Sequence, residues 1–101
     1  MLKNFRTYNL SVAFYRQVGC IKLPGHLKAQ LQRAASSIVL NLAEGHGRQS
    51  QSEQSHFFSI AFGSLRECQA VLDLVGSRAL PVAAEADCLA AHLYKLMRSA
   101  S

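Results

Sequence analysis

The sequence predicts an all-α protein, folded as an antiparallel, up-down-up-down four-helix bundle. The chain has 101 residues, of which 50% are hydrophobic and 17% are charged, a balance typical of one folded domain spanning residues 1–101. Apolar residues recur three and four positions apart along its length, which is the period of an amphipathic helix. Two prolines and six glycines are too few for a turn-rich β-sandwich, and short connections favour antiparallel helices.

Four amphipathic stretches make up this pattern. The predicted helices cover about residues 6–21, 26–44, 51–77 and 82–98. In each stretch the apolar residues fall on one side of a helical wheel, so each helix is expected to turn that side toward a shared core. The core-facing lines include Phe14, Ile38, Leu65 and Leu89.

Residues with known preferences at helix ends mark the boundaries. The Leu-Pro-Gly segment at 23–25 breaks the pattern after the first stretch. Gly45 is predicted to end the second helix as its C′ residue. Ser50 and Glu53 have the spacing of a capping box, which starts the third helix. Pro81 stands near the first turn of the fourth helix, where proline is tolerated.

The charge is unevenly distributed along the chain. Residues 1–48 hold seven basic residues and one acidic residue, whereas residues 49–101 hold four basic and five acidic residues. A basic half indicates an anionic partner, RNA or DNA above all, although the same charge could serve solubility alone. The candidate nucleic-acid contacts are Lys22, Lys28, Arg48, Arg16 and Arg6.

Cysteine usage and hydropathy predict a cytoplasmic protein with no membrane partner. Cys20, Cys68 and Cys88 are odd in number and widely spaced, so neither a disulfide framework nor a zinc finger is expected. No apolar run approaches the roughly 20 residues that a membrane-spanning helix needs. The first ten residues also lack the apolar stretch of a secretory signal.

A polar stripe runs along the second helix. On a helical wheel its members fall within an arc of roughly 80°, and we expect a partly buried, hydrogen-bonded network there. Arg33 is expected to lie over Gly63 and Ser64 of the third helix, with Glu67 in reach of Arg33 or Lys28. A surface for a ligand or nucleic acid is the alternative interpretation. The stripe consists of Gln30, Arg33, Ser37, Asn41 and Glu44.

The second helix has another face that is small or apolar instead of charged. A helix that is apolar on two sides is usually enclosed by something larger than a single small bundle. We therefore predict that Val39, Leu40 and Ala43 form an oligomer interface.

The sequence holds little that predicts catalysis or metal binding. Glu53 and His56 form one Glu-x-x-His pair, whereas di-iron bundles use two such pairs and further carboxylates. Cys88 and His92 lie one helical turn apart without a second pair. The glycine-containing segment 45–48 lacks the Walker spacing of a nucleotide site. We expect no enzyme activity, no cofactor and no metal.

Several motifs resemble a bacterial four-helix-bundle family, named for proteins encoded in intervening sequences of 23S ribosomal RNA. The similarity covers about residues 8–80. The motifs are Leu23-Pro24, RAASSI at 33–38, NLAEG at 41–45, Gly47-Arg48, and Gly63-Ser64-Leu65 followed by Glu67.

The resemblance implies a four-helix protomer that assembles into a homopentameric ring. It also implies kinship with the accessory protein of diversity-generating retroelements, a basic pentamer that binds reverse transcriptase and nucleic acid. It implies no established activity. The positions it singles out as structural or interface residues are Gln30, Arg33, Ser37, Asn41, Glu44, Gly45, Arg48, Gly63 and Glu67.

Two functions follow as alternatives. The first is a non-enzymatic homo-oligomer that binds RNA or DNA through basic positions repeated around a ring. The second is an oligomeric scaffold for a protein partner such as a reverse transcriptase.

Overall fold

The computed structural model describes residues 2–76 and 80–100, and in that part of the chain there is no strand. A single 3₁₀ turn at Leu2–Asn4 precedes the helices. The predictions of an all-α fold and of four helices are confirmed, and the described helix ends lie within about two residues of the predicted ones. Residue 77 of the predicted third helix lies outside the described residues. The helices are α1 Arg6–Cys20, α2 Gly25–His46, α3 Gln51–Val75 and α4 Leu80–Ala100.

Each helix packs against its neighbour in the chain, and α4 also packs against α1. The contacts between α2 and α3 join Gly45 to Phe58 near one end and Gln30 to Glu67 toward the other. High residue numbers of α2 therefore meet low residue numbers of α3. This arrangement brings the C-terminal end of α2 next to the N-terminal end of α3.

The core consists of apolar side chains that all four helices contribute. Their removal from water is the main source of stability, at roughly 1.5–3 kcal/mol for a large side chain. Ser11 is also fully buried, and its hydroxyl donates to the carbonyl oxygen of Tyr8 at 2.7 Å, so burial leaves it satisfied. The largest fully buried apolar side chains are Phe14, Val18, Leu31, Ile38, Leu42, Leu65, Cys68, Leu89 and Leu93.

The N-terminus of α3 has the predicted cap. Ser50 is the N-cap residue, and its hydroxyl accepts a hydrogen bond from the backbone N–H of Glu53 at 3.1 Å. The same hydroxyl lies 3.1 Å from Glu53 Oε1. The cap satisfies one of the amides that the first helical turn leaves without an acceptor.

The expectation that Gly45 ends the second helix is wrong. The helix continues to His46, and Gly47 is the C-cap residue with φ −81° in the right-handed region. Gly45 is buried, and a Cβ added there would lie 2.6 Å from Cε1 of Phe58 and 3.1 Å from Cβ of Phe57. The glycine therefore lets α3 approach the backbone of α2.

We expect Gly45→Ala to lower the free energy of unfolding by about 1–2 kcal/mol, because overpacking against Phe58 outweighs the gain in helix propensity. The matched control is Gly63→Ala in α3. Nothing lies within 4 Å of a Cβ added at Gly63, so this variant should gain about 0.5–1 kcal/mol. Urea unfolding at one fixed protein concentration measures both. Equal effects at the two positions would contradict the close contact at Gly45.

Cys68 differs from the other two cysteines in its surroundings. Cys20 and Cys88 are exposed, whereas Cys68 lies in the core. Burial of the Cys68 thiol, with a smaller contribution from the nearby Glu67 charge, raises its pKa from 9.0 to about 12. Because the thiolate is the reactive form, Cys68 is inert in the folded protein.

We expect a thiol-specific disulfide reagent at pH 8 to modify two thiols in the native protein and a third only in denaturant. The variant Cys68→Ala should give two thiols under both conditions. Because the unfolded chain releases the Cys68 proton at lower pH than the native chain, stability should fall as the pH rises from 9.0 toward about 12. Rapid modification of three native thiols would show that Cys68 is accessible.

Candidate functional site

A hydrogen-bonded polar seam joins the middle of α2 to α3. The hydroxyl oxygens of Ser37 and Ser64 are 2.7 Å apart. Asn41 Nδ2 donates to the carbonyl oxygen of Ser37 at 2.8 Å and to its hydroxyl oxygen at 3.1 Å. All three side chains are half-buried. We define the polar seam as Ser37, Asn41 and Ser64.

The N-terminal end of the predicted stripe, at Gln30 and Arg33, is more open than the sequence suggests. Gln30 and Glu67 are exposed, and their side chains are joined by a 3.5 Å contact from Nε2 to Oε2. Arg33 is exposed, and its guanidinium forms no hydrogen bond or ion pair within residues 2–76 and 80–100. The space around Gly63 is also open. Arg33 therefore does not lie over Gly63, and neither Arg33 nor Lys28 forms an ion pair with Glu67.

Arg48 forms the centre of a cluster at the connection between α2 and α3. Its guanidinium lies 2.6 Å from Oε2 of Glu44 and 3.6 Å from Oε2 of Glu53. The same group lies 4.9 Å from the centroid of the Phe57 ring, and the backbone oxygen of Arg48 accepts from Gln54 Nε2 at 3.0 Å. The carboxylates of Glu44 and Glu53 neutralise the Arg48 guanidinium, so Arg48 mainly stabilises the connection between α2 and α3.

Lys28 is also engaged within the fold. Its Nζ donates to the backbone carbonyl oxygen of Gly19 at 3.2 Å and to that of Ile21. These carbonyls belong to the C-terminal end of α1 and the residue after it, where the helix carries partial negative charge. Lys28 therefore caps α1 from the first turn of α2, a partnership that spacing alone does not reveal.

The five predicted nucleic-acid contacts do not form one patch. Arg6 lies at the end of the bundle where α1 begins, as does Arg48, because Phe5 stacks on His46 of α2 with ring centroids 4.8 Å apart. Lys22 lies beyond the other end of α1, which is about 22 Å away at 1.5 Å per residue. The exposed side chain of Arg16 lies on the surface between the two ends.

The predicted interface residues lie on a strip of apolar surface. Leu40 is 66% exposed, with Val39 and Ala43 half-buried beside it. Val12 and Tyr15 of α1 continue the surface, and Tyr15 is 40% exposed. We name these five residues the apolar strip. A contiguous exposed apolar surface of this kind is typical of a contact site.

The sequence pattern did not reveal that α4 places a cation, Lys95, beside the start of α1. His92, Lys95 and Ser99 recur at three- and four-residue spacing, so they share one face of α4, and this face lies beside the start of α1. This spacing could have shown that the three residues share one face of a helix. The net charge of each half of the chain did not show it, because Lys95 lies in the half that has more acidic than basic residues. The cleft between the two helices, the cationic cleft, is lined by Arg6, Thr7, His92, Lys95, Leu96 and Ser99.

The residues considered for metal binding have other contacts. Glu53 belongs to the α3 cap, and the His56 ring lies edge-on to Phe57 with centroids 5.2 Å apart. Within residues 2–76 and 80–100 there is no group of three or more His, Cys, Asp or Glu side chains placed to hold a metal ion. None of the helices in the described residues has the length and apolar character needed to cross a membrane.

The structure places the chain in the class of all-α proteins with four helices. The polar seam is a hydrogen-bonded contact between α2 and α3. A sequence model of the family described as 23S rRNA-intervening sequence protein matches residues 4–100. The chain therefore belongs to this family. No curated protein matches it.

Proposed function

We propose that this protein is a non-enzymatic, cytoplasmic homo-oligomer that binds RNA. The observation that carries the proposal is the exposed, unneutralised charge on α1 and on Lys22, which follows it. Arg6, Arg16 and Lys22 are exposed, and none of them forms an ion pair in the described part of the chain. Cations without acidic partners are available to phosphate groups, which dominate the affinity of proteins for nucleic acids.

The proposed protomer is an antiparallel, up-down-up-down bundle. Contacts along each helix pair support this arrangement. Residues near the start of α1 meet the end of α2, as Phe5 does with His46. Gln69 of α3 donates to Asp87 of α4 at 3.0 Å, close to the connection between these helices. Each contact is that expected when neighbouring helices run in opposite directions.

The proposed assembly is a homopentameric ring that uses the apolar strip. Leu40 is 66% exposed within the contiguous apolar strip, and contact with a second copy would bury it together with its apolar neighbours. The number of five copies rests on the family resemblance. A ring would repeat every cation around its axis, so several weak phosphate contacts act together at high effective concentration.

A protein-binding scaffold, for example for a reverse transcriptase, is the second candidate function. Leu74 is 74% exposed and Leu80 is 63% exposed. The two residues lie where α3 ends and α4 begins, and they are separate from the apolar strip. An assembled ring would still present them to a partner.

We expect Leu40→Asp to dissociate the oligomer into single chains, because a carboxylate would be buried without a partner in the interface. Leu74→Asp is the matched control, with the same substitution at an equally exposed leucine outside the apolar strip. Light scattering coupled to size-exclusion chromatography gives the mass of each. A Leu40→Asp variant that keeps the wild-type mass would show that the apolar strip is not the interface.

We expect the wild-type protein to bind a fluorescently labelled structured RNA, with affinity that falls steeply as salt rises. Leu40→Asp should bind at least about tenfold more weakly because it loses multivalency, whereas Leu74→Asp should bind as the wild type does. Fluorescence anisotropy from low to moderate salt measures all three. Absence of binding at low salt would contradict the RNA function, and a protein partner that co-purifies after nuclease and high-salt washes would favour the scaffold.

A further inference from the structure

The cationic cleft between α1 and α4 has the composition of an anion site. Its volume is about 410 Å³. Two cationic side chains, an imidazole and two hydroxyl groups contribute to its lining, and no carboxylate is among the lining residues. The charged and hydroxyl groups among these residues favour an oxyanion over a cation.

The two cations of the cleft are free to act on a ligand. Arg6 and Lys95 are exposed, and neither forms an ion pair within residues 2–76 and 80–100. Arg48, which lies at the same end of the bundle, is instead neutralised by Glu44 and Glu53. Arg6 and Lys95 therefore keep their positive charge available at this end of the protein.

Thr7 provides an independent indication of a ligand. It is only 7% exposed, yet its hydroxyl has no hydrogen-bond partner among the described residues. The oxygen is not sealed inside the protein, and the residue lines the cleft. Since a largely buried hydroxyl is ordinarily hydrogen-bonded, a group that occupies the cleft would complete this site. Ser99 differs, because its hydroxyl already donates to the carbonyl oxygen of Leu96 at 2.9 Å.

The helix ends reinforce the positive potential. No side chain caps the N-terminus of α1, and its first turn holds no acidic residue, so its amides favour an anion. The C-terminal end of α4 carries partial negative charge, but Arg98 in its last turn offsets that charge.

We propose that the cationic cleft binds a backbone phosphate of RNA, through Arg6 and Lys95 as charged donors and Thr7 as a hydroxyl donor. His92 supplies a further N–H group at the wall of the cleft. This assignment rests on the proposed RNA-binding function and specifies which end of the bundle meets the nucleic acid. Each copy in an oligomer would contribute one such cleft.

The test compares two double charge reversals with the same change in net charge. Arg6→Glu with Lys95→Glu alters the cleft, whereas Arg33→Glu with Arg66→Glu alters exposed cations of α2 and α3 that are not among the proposed RNA contacts. We expect the first pair to weaken binding of a labelled single-stranded RNA by at least about tenfold and to reduce the salt slope by about one to two. The second pair should change the affinity less than about threefold, since only long-range electrostatics is affected.

Two substitutions at Thr7 separate a built site from general charge. Thr7→Val keeps the side-chain shape and the net charge, and it should weaken RNA binding roughly threefold with an unchanged salt slope. Thr7→Ser keeps the hydroxyl and should bind as the wild type does. Circular dichroism and the oligomer mass establish that each variant is folded and assembled.

The outcomes distinguish this proposal from the one on which it rests. RNA binding that both double reversals weaken equally, or that Thr7→Val leaves unchanged, would overturn the cleft and leave the RNA function in place. No RNA binding by the wild type would overturn both. Saturable micromolar binding of inorganic pyrophosphate, measured by calorimetry, would assign the cleft to a small phosphate ligand instead of RNA.

Discussion

The close approach of α2 and α3 at Gly45 is the constraint on which the rest of the structure depends. A side chain at this position would meet the ring of Phe58 at 2.6 Å, so the two helix backbones can come together only because it is absent. Phe58 also faces Phe5, at 6.2 Å between ring centroids, and Phe5 stacks on His46. The same contact therefore anchors the start of α1 beside the end of α2, where Arg6 enters the cationic cleft.

Most of the helical structure follows from local sequence. The apolar periodicity marks all four helices, and Ser50 with Glu53 identifies the start of α3, because these signals depend on residues within a few positions of each other. The prediction that Gly45 ends the second helix is wrong for a physical reason. Glycine serves both as a helix terminator and as a site of close helix contact, and the choice depends on a partner, Phe58, that lies 13 positions away in the chain.

The candidate site was less predictable, because charge along a chain and charge in space are different quantities. Dividing the sequence into a basic and an acidic half grouped Arg6 with Lys22, whereas the fold separates them along α1 and places Arg6 beside Lys95. Lys28 and Arg48 looked equivalent to the other cations, yet backbone carbonyls engage one and carboxylates the other. Such partners are fixed by tertiary packing, which periodicity does not encode.

The polar seam has a consequence for the uniqueness of the fold. Apolar side chains can pack against one another in more than one alignment. As far as they are concerned, α3 could slide along α2 by one helical turn, about 5.4 Å, and still bury much of the same surface. The hydroxyl oxygens of Ser37 and Ser64 are 2.7 Å apart, and they form this hydrogen bond only when the two helices are aligned as observed. A slide would break the hydrogen bond between these two hydroxyls, at a cost of about 1 kcal/mol, whereas the bonds from Asn41 to Ser37 lie within α2 and would remain. The Ser37–Ser64 hydrogen bond therefore favours one alignment of α3 on α2 among several that apolar contacts alone would leave close in free energy.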